Sequence, residues 1–542
     1  MRHGPADTID RVSGYSFSRK IGLSTLPNHR LQSLQAMRKW LTGLLAVSVL
    51  SACAVKPEPL PESSIMQRTQ DDKAAYYKDV KPVVRAIPLA EAMARAIRYN
   101  LDHRLKTMES ALAMGQSKLT GYQLLPQVAL QAGYSKRSNE LGSSSRSLIT
   151  GQGSLESSTS SERSYGDADL TMTWNILDFG VSYFKARQQA DRYLVSEQRR
   201  RKVIHNIIQE VRQAYWRAAV AQELLPDIEN FLVEANLALE DAKKSGDALL
   251  QSPLDTLRYR MGLLETVYQI ITLQRDLSVA KTQLAALINV DLKENFRLET
   301  QNQQDMSAPK IPYDIDLMEK MALFFRPELR EEDYQKRIDI AETKLTLLQV
   351  LPGLSLEAGL HTSTNHYLFN QQWADGGLKL AWNLINLAAG NDTLDVAGIR
   401  EATGTMRRLS LGMAILTQVH VALVRYNQTL EEFELVKTIS QTADQIQHHS
   451  AAARQTMTGL DVIQAQARAI YRRLQMGLSY AELQNSAGQI YVSIGLDPLP
   501  SSLESTDLDT LTATLEGMIQ RWQVGEVELG TLVDNRLQGQ SG

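Results

Sequence analysis

The sequence predicts a mainly helical protein with long coiled-coil helices and a small β portion of four short strands, internally duplicated. Three observations lead to this fold class. Apolar residues at alternating spacings of three and four extend from Ile204 to Ala242. The apolar period changes to two just after a Leu-Pro pair, at residues 125–134 and again at 351–360. Other segments recur at a nearly constant offset, which indicates that the chain is written twice.

The amino end has the features of a secretory signal. Residues 40–52, "WLTGLLAVSVLSA", follow two basic residues and precede Cys53, the single cysteine of the chain. The order Leu50-Ser51-Ala52-Cys53 looks like a bacterial lipobox, in which the cysteine is acylated, palmitate included, and becomes the mature amino terminus. We expect a lipoprotein signal peptide over 37–52 and a covalent lipid on Cys53. An ordinary signal with an accidental cysteine is the alternative.

The segments beside the signal are also assigned from the sequence. Residues 1–36 precede a plausible start at Met37 and lack targeting features, so an over-extended reading frame is expected. Residues 53–85 form a lipid-anchored linker that contains the proline-rich run "KPEPLPE". Ala54 stands where similar lipoproteins of the inner membrane carry Asp. The expected location is therefore the outer membrane of a Gram-negative bacterium, with the protein extending into the periplasm.

Composition excludes two classes of protein. The formal charge of -3 in 542 residues gives no electrostatic footprint for nucleic acid. No window approaches the roughly 18 uncharged apolar residues of a spanning helix, which excludes a polytopic transporter. If the chain crosses a bilayer, strands must do so.

The duplication divides the chain into two repeats. The Leu-Pro stretches lie 226 residues apart, "WNILDFG" at 174–180 lies 208 before "WNLINLAAG", and "LDTLRYRM" at 254–261 lies 206 before "LDVIQAQA". The offset falls from 226 to 208 because the first copy has a longer loop between its strands, over 135–165, with 12 serines in 31 residues. We expect one repeat over 86–300, a second over 311–498, and a C-terminal tail over 499–542. Each repeat reads helix, strand, loop, strand, helix, turn, helix.

All four predicted strands have one apolar face. Strands near 125–134 and 351–360 are followed by alternating runs at 170–176 and 378–384. Each covers the length that a tilted strand needs to cross hydrocarbon, and three of the four have Tyr or Trp near an end: Tyr134, Trp174 and Trp382. The alternative is a pair of hairpins packed on a soluble core.

The long helices carry a heptad seam. In the first repeat it includes Ile204, Val211, Ala218 and Ala235, and Pro226 is expected to bend the helix or mark a change in its packing. The counterpart over 389–455 is interrupted in one register, so either its seam shifts or one side faces water. On the helices alone, a dimeric coiled-coil rod would be preferred.

Each long helix ends at a predicted helical hairpin tip. The first tip comprises Gly246, Ser252, Pro253 and Asp255, and the second comprises Thr458, Gly459 and Asp461. Both match an N-cap followed three residues later by a carboxylate, and Pro253 stands at the first helical position.

Together, the duplicated halves, the strand-to-helix "WNILDFG", the "GLDVIQAQA" helix start and the lipobox resemble the lipoprotein branch of the TolC-type outer-membrane efflux family. The resemblance covers about residues 85–498. It implies a homotrimer in which each protomer gives four strands to one outer-membrane barrel, continued by a barrel of helices. It also implies passive conduction of exported solutes, with an inner-membrane pump and a periplasmic adaptor (membrane fusion) protein as partners. From the residues themselves, four strands are too few to close a barrel, so oligomerisation is required.

The resemblance also assigns roles to the tips. In the family they form the adaptor-docking end and the tunnel gate, where Asp461 would contribute to a ring of aspartates. The competing interpretation is that Asp461 only caps a helix, because Asp255 holds the equivalent place without a gate. Gln464 stands where the family has its second gate acid, a departure that weakens the expected ring.

No enzyme chemistry is predicted, and neither a metal nor a cofactor other than the Cys53 lipid is expected. His448 and His449 lack a Glu at metal spacing, and no Walker-type glycine pattern occurs. Two hypotheses remain: the channel component of a tripartite efflux or type I secretion system, and a lipid-anchored periplasmic coiled-coil scaffold without a pore.

Overall fold

A computed structural model describes residues 58–154, 156–247, 253–300, 306–385, 389–453, 459–497 and 507–524. The chain divides into two compact units, one ending at Ala75 and one beginning at Tyr76. The described part of the first unit contains an exposed polar helix, α1 (Glu62–Ala75). All elements below belong to the second unit.

The second unit is mainly helical, as predicted, with a small β portion. Its helices are α2 (Leu89–Tyr99), α3 (Leu101–Gly121), α4 (Ile176–Asp247), α5 (Pro253–Ser278), α6 (Ala280–Leu287), α7 (Ile315–Phe325), α8 (Pro327–Leu348), α9 (Gly390–Ala452), α10 (Gly459–Ser493) and α11 (Leu508–Val524). Its strands are β1 (Gln127–Lys136), β2 (Gly142–Ser143), β3 (Ser158–Thr159), β4 (Ser164–Asn175), β5 (Gly353–Ser363) and β6 (Gln372–Ala381).

The four strands predicted from alternation form one antiparallel sheet in the order β1-β4-β5-β6. They are 10, 12, 11 and 10 residues long, enough for tilted strands to cross hydrocarbon. The alternating runs predicted at 170–176 and 378–384 extend too far, because Ile176 begins α4 and β6 ends at Ala381. The register places Leu130, Leu170 and Leu360 in one row across three strands. The short strands β2 and β3 pair with each other inside the loop between β1 and β4.

The duplication extends to details of the backbone. Asn100 joins α2 to α3 and Arg326 joins α7 to α8, each with an extended ψ and an N–H that donates to an alanine carbonyl four residues back. These junctions lie 226 residues apart, the same offset as the Leu-Pro stretches. The two junction side chains differ. Asn100 caps α3 by accepting from two backbone N–H groups, whereas Arg326 is an ion-pair partner of Glu328 at 3.0 Å.

Helix α4 is continuous over 72 residues, about 110 Å at 1.5 Å per residue. Its predicted seam is confirmed: Val211, Ala218 and Ala235 are fully buried, and the remaining seam positions are buried or half-buried. The helix continues through Pro226. The larger core cluster gives way to a second cluster between Ala219 and Val220, so the change in packing precedes the proline by about two turns.

In α9 the seam shifts and the opposite side is also exposed, so both predicted alternatives hold. The interrupting residues His420, Asn427 and Glu434 are exposed. The buried register lies one position earlier, alternates spacings of three and four from Gly412 to Phe433, and continues one heptad later at Ser440. It consists of Gly412, Ile415, Val419, Ala422, Tyr426, Thr429, Phe433 and Ser440.

The last helices of the two repeats end in the same motif. After α6, Asn289 has a φ of 53°, and after α10, Gly495 has a φ of 79°. In both, the following residue donates its N–H five residues back, from Val290 to Ala285 and from Leu496 to Tyr491. A Cβ at Gly495 would lie 2.7 Å from the backbone N of Arg326, so glycine is required there by both conformation and space.

The larger core cluster lies where α2, α6, α7 and α11 pack around the middle of α4 and α9 and the second half of α10. The tail, unassigned from the sequence, packs on α2 as α11 and contributes Leu508, Leu511 and Leu515 to this cluster. The second cluster joins the later half of α4 to α5 and α10.

Candidate functional site

The four-stranded sheet has two chemically different faces, and the chain itself buries neither. Because the register pairs even with even and odd with odd residue numbers, each face carries one parity from all four strands. The even face is apolar and largely exposed. Its large side chains include Val128 (66% exposed), Leu130 (77%), Tyr134 (72%), Leu360 (58%), Leu378 (71%) and Leu380 (67%). Since no helix covers this face, the expected alternative of hairpins packed on a soluble core is wrong for the described chain.

The odd face carries the charge. Asp167, Asp169, Glu357 and Asp375 stand on it with one ammonium, Lys379. The one other charged side chain of the four strands is Lys136, at the end of β1. A sheet with an exposed apolar face and an exposed charged face suits a boundary between hydrocarbon and water.

A histidine connects three strands on the odd face. The His361 Nδ1–H donates to Asp169 Oδ1 at 2.6 Å, and its Nε2 lies 3.2 Å from Asp375 Oδ2. The imidazole stacks on Trp373, with ring centroids 5.1 Å apart and planes inclined by 14°. Gly359, on the same face, leaves space for this ring, because a Cβ there would overlap the imidazole.

The strands meet the helices at a cavity of about 1030 Å³. Tyr122, Trp174 and Lys185 are among its lining residues, beside the ends of β1 and β4. At the same end of the second strand pair, Trp382 Nε1–H, just after β6, donates to the Val350 carbonyl, just before β5, at 3.0 Å. Pro126 lies just before β1 and Pro352 just before β5. Both prolines of the Leu-Pro pairs therefore stand at the transition from helix to sheet, as the change of period predicts.

The loops at the opposite end of the sheet are fastened to each other. Asn365 is buried, accepts from the Glu162 N–H at 3.2 Å and donates to the Ser160 carbonyl at 3.0 Å. His366 adds a contact with Glu162 at 2.9 Å. The serine-rich loop of the first repeat and the short loop of the second are thus held together.

The helices form a layer in the same order as the strands. Helix α3 packs on α4, α4 on α8, and α8 on α9; nearer the tips, α5 packs on α4, α4 on α10, and α10 on α9. Helices α3 and α5 therefore stand at one edge of the layer and α9 at the other.

These edge helices carry exposed apolar seams. On α3 the seam is Leu101, Leu105, Met108, Leu112 and Leu119. On α5 it is Leu254, Leu257, Met261, Leu264, Tyr268 and Ile271, at unbroken spacings of three and four. On α9 it includes Ile399, Met406, Leu409, Met413, Val421, Val424 and Leu435. Of the described helices, α9 is the one long and apolar enough to cross a membrane by length and composition, and about a fifth (22%) of its most apolar window is buried.

The tips of the helical hairpins lie beside each other. A Cβ at Gly459 would be 3.8 Å from the Tyr259 hydroxyl, which places the start of α10 against α5. Burial, together with the charge of Asp241, raises the pKa of Tyr259. Asp255 and Asp461 are both exposed in the first turns of α5 and α10, and Asp255 lies 3.7 Å from Arg258.

The structure describes only part of the predicted site. Gly246 is in the last turn of α4, and Pro253 begins α5 as predicted. Ser252, Thr458 and Cys53 lie outside the described residues, so the two caps and the lipid attachment stay predictions. Gln464 is half-buried in α10. Within the described ranges, no group of three or more His, Cys, Asp or Glu side chains could hold a metal ion.

The chain is similar to known outer membrane proteins in both sequence and fold. Residues 103–290 match the family model "Outer membrane efflux protein". The fold is similar to CmeC, an outer membrane channel of Campylobacter jejuni, with a TM-score of 0.61 at 14% identity over 80% of this chain and 90% of that one. The resemblance to the TolC-type outer-membrane efflux family is confirmed.

Two more solved structures share the TolC-type fold. The open state of the MtrE outer membrane channel of Neisseria gonorrhoeae gives a TM-score of 0.59 at 16% identity, over 75% of this chain and 88% of that one. The outer membrane protein VceC of Vibrio cholerae gives 0.57 at 13% identity, over 75% and 96%. No curated protein sequence matches the chain.

Sequence reasoning missed two parts of the site. The seams on α3 and α5 could have been found, since residues 101–119 and 254–271 keep heptad spacing in the sequence. The contacts of His361 could not, because Asp169 lies 192 residues away and only the register brings the two together.

Proposed function

We propose that this protein is the outer-membrane channel component of a tripartite efflux or type I secretion system. It conducts substrates passively from the periplasm or pump to the exterior through a trimeric tunnel. The observation that carries the proposal is the sheet, which has an exposed apolar face, an exposed charged face and two open edges. In lipid, an open edge leaves backbone N–H and C=O groups without partners, so the sheet must be closed by further strands.

Copies of the same chain can supply this closure. In the part of the chain that the structure describes, neither β1 nor β6 has a second neighbour in the four-stranded sheet. Three copies would join β1 of one protomer to β6 of the next and give twelve strands, an even number within the range of known closed barrels. The apolar face would then contact lipid and the charged face would line a pore.

The edge helices support the same closure below the sheet. If β1 of one copy pairs with β6 of the next, α3 and α5 of the first copy meet α9 of the second. The exposed apolar seams of these helices would then be buried against each other. Near the tips, Ile271 lies 18 residues after Pro253, and Leu435 lies 18 residues before Ala453. Both are about 27 Å from the tip, so they would face each other across the seam.

The tips and the anchor complete the proposal. We assign the adaptor-docking end to the tips at Gly246, Ser252, Pro253, Asp255, Thr458 and Gly459, with Asp461 as the gate residue. A lipid on Cys53 would hold the protein at the outer membrane. Support for these roles comes from the family resemblance and from the position of both tips at the same end of the helical layer.

Purified protein tests the channel directly. We expect a trimer that survives mild detergent electrophoresis without heating and that forms ion-conducting pores in planar bilayers. A Cys53→Ala variant should lose acylation in a palmitate-labelling experiment and still form the pore. A chain that stays monomeric and soluble without detergent, and that conducts no current, would contradict the channel and leave the coiled-coil scaffold.

Disulfide trapping tests the subunit contact. In the Cys53→Ala background, cysteines at Ile271 and Leu435 should cross-link between protomers and give a covalent trimer. The matched control pairs Ile271→Cys with Val396→Cys, an exposed position on α9 that lies 39 residues further from the tip than Leu435. Equal cross-linking of the two pairs would reject the proposed alignment.

A further inference from the structure

The charged face of the sheet contains two kinds of carboxylate. Asp167 and Glu357 have no ion-pair partner within 4.0 Å among the described residues. Asp169 and Asp375 both contact the His361 imidazole, at 2.6 Å and 3.2 Å. The histidine therefore contacts half of the four carboxylates on this face.

The position of the imidazole is fixed by its surroundings. It stacks on Trp373 from the neighbouring strand β6, lies over the bare backbone of Gly359 on its own strand, and donates across to β4. The side chain is 16% exposed, although it stands on a face that the chain does not cover. The ring lies along the sheet and holds the two carboxylates beside it.

We propose that His361 is a specificity-determining residue of the pore, which lowers its preference for cations by holding Asp169 and Asp375 against the wall. This inference rests on the proposed function, since it requires the odd face to line the conducting path. Carboxylates on a pore wall raise the local concentration of cations and lower that of anions. A carboxylate whose oxygen is engaged by a ring N–H attracts a passing cation less than one that faces only water.

The other charged groups set the baseline. Asp167, Glu357 and Lys379 stand on the same face, so the wall is acidic before Asp169 and Asp375 are counted. The native pore should therefore prefer cations modestly. Release of two more carboxylates per protomer, six in a trimer, should raise that preference.

The test is the reversal potential of the reconstituted channel in a KCl gradient. His361→Gln should raise the potassium-to-chloride permeability ratio about twofold at low salt, and less at 1 M, where charges are screened beyond about 3 Å. Adding Asp169→Asn and Asp375→Asn to that variant should return the ratio to the native value or below. A merely structural role of His361 would change thermal stability and leave the ratio unaltered.

A pair of glycines provides the matched control. Gly359→Ala should displace the intact imidazole and reproduce the His361→Gln shift, because the new Cβ occupies the position of the ring. Gly377→Ala, on the same face of β6, meets nothing within 4 Å and should leave the ratio unchanged. An unchanged or anion-directed ratio in His361→Gln trimers that still conduct would overturn this inference alone. Absence of conductance in the native protein would overturn the proposed function as well.

Discussion

The long helices of the two repeats, α4 and α9, occupy equivalent places in the sequence and are packed differently. Helix α4 lies inside the helical layer, between α3, α8, α5 and α10, and its seam is buried by its own chain. Helix α9 lies at the edge, buries one register against α10, and leaves a second apolar seam exposed. A duplicated sequence thus gives one helix whose apolar seam the chain buries itself and one that keeps a second apolar seam exposed.

Shortening one seam residue in each helix tests this difference. These substitutions should have the largest effect on stability of those considered. Ile228 in α4 is fully buried, so Ile228→Ala should lower the free energy of unfolding by about 2–5 kcal/mol through lost burial and a residual cavity. Leu435 in α9 is 62% exposed, and Leu435→Ala should cost the protomer less than about 0.5 kcal/mol while weakening the trimer.

Denaturant unfolding in detergent measures the first effect, and the fraction of trimer on a mild detergent gel measures the second. If both substitutions lowered the unfolding free energy equally, the distinction between an interior and an edge helix would fail.

The helix-ending motifs provide the next comparison. Gly495→Ala should lower the unfolding free energy by about 2–3 kcal/mol, because alanine disfavours a φ of 79° and its Cβ would meet the backbone of Arg326. Asn289→Ala, at the same place in the first repeat, should cost about 1–2 kcal/mol. That variant loses the bond from Nδ2 to the Tyr76 carbonyl and keeps a φ of 53°. Calorimetry of the two variants tests whether Gly495→Ala loses more unfolding free energy than Asn289→Ala. An unchanged stability of Gly495→Ala would show that the backbone adjusts and would contradict the prediction.

An aspartate lies two residues after each of these helix-ending positions, Asp291 after Asn289 and Asp497 after Gly495. The two should differ in how they make stability depend on pH. Burial by itself would raise the pKa of the Asp497 carboxyl, but the hydrogen bond with His205 at 2.8 Å and the charge of Arg201 hold it below its ordinary value. Its counterpart 206 residues earlier, Asp291, accepts the Lys293 N–H at 3.0 Å and is exposed.

For a carboxyl with a lowered pKa, the stabilisation is complete above about pH 4 and is lost as the pH falls through the folded value. Because the Asp497 side chain is also 40% exposed, solvent screens its interactions, and Asp497→Asn should cost about 0.5 kcal/mol at pH 7 and progressively less below pH 4. Asp291→Asn should change little at either pH. Thermal melts of both variants at pH 7 and pH 3.5 would show whether the loss is confined to Asp497.

The tip carboxylates should give the smallest change in stability. Asp255→Ala and Asp461→Ala each remove a negative charge from the first turn of a helix, worth about 0.5 kcal/mol. If Asp461 also lines the gate, its substitution alone should change single-channel conductance or block by divalent cations. Identical pore behaviour of the two variants would leave Asp461 with a capping role only.

Much of the fold could be predicted from the sequence because its signals are local. The alternation of two gave all four strands, and the three-and-four spacing gave the buried seam of α4, including Val211 and Ala218. The carboxylates Asp255 and Asp461, each three residues after a predicted cap, together with Pro253 at the first tip, predicted the starts of α5 and α10. The packing of α11 on α2 gave no such signal, since it depends on a contact between the ends of the chain.

The sequence by itself determined which residues share a face, because the helical and extended backbones place side chains at fixed periods. Tertiary structure alone decided which of those faces the chain buries. The register of α9, the exposure of the apolar sheet face and the contact of His361 with Asp169 and Asp375 all depend on neighbours distant in sequence. A period records that a face is apolar, but only the arrangement of the neighbouring elements decides whether protein, lipid or a second copy covers it.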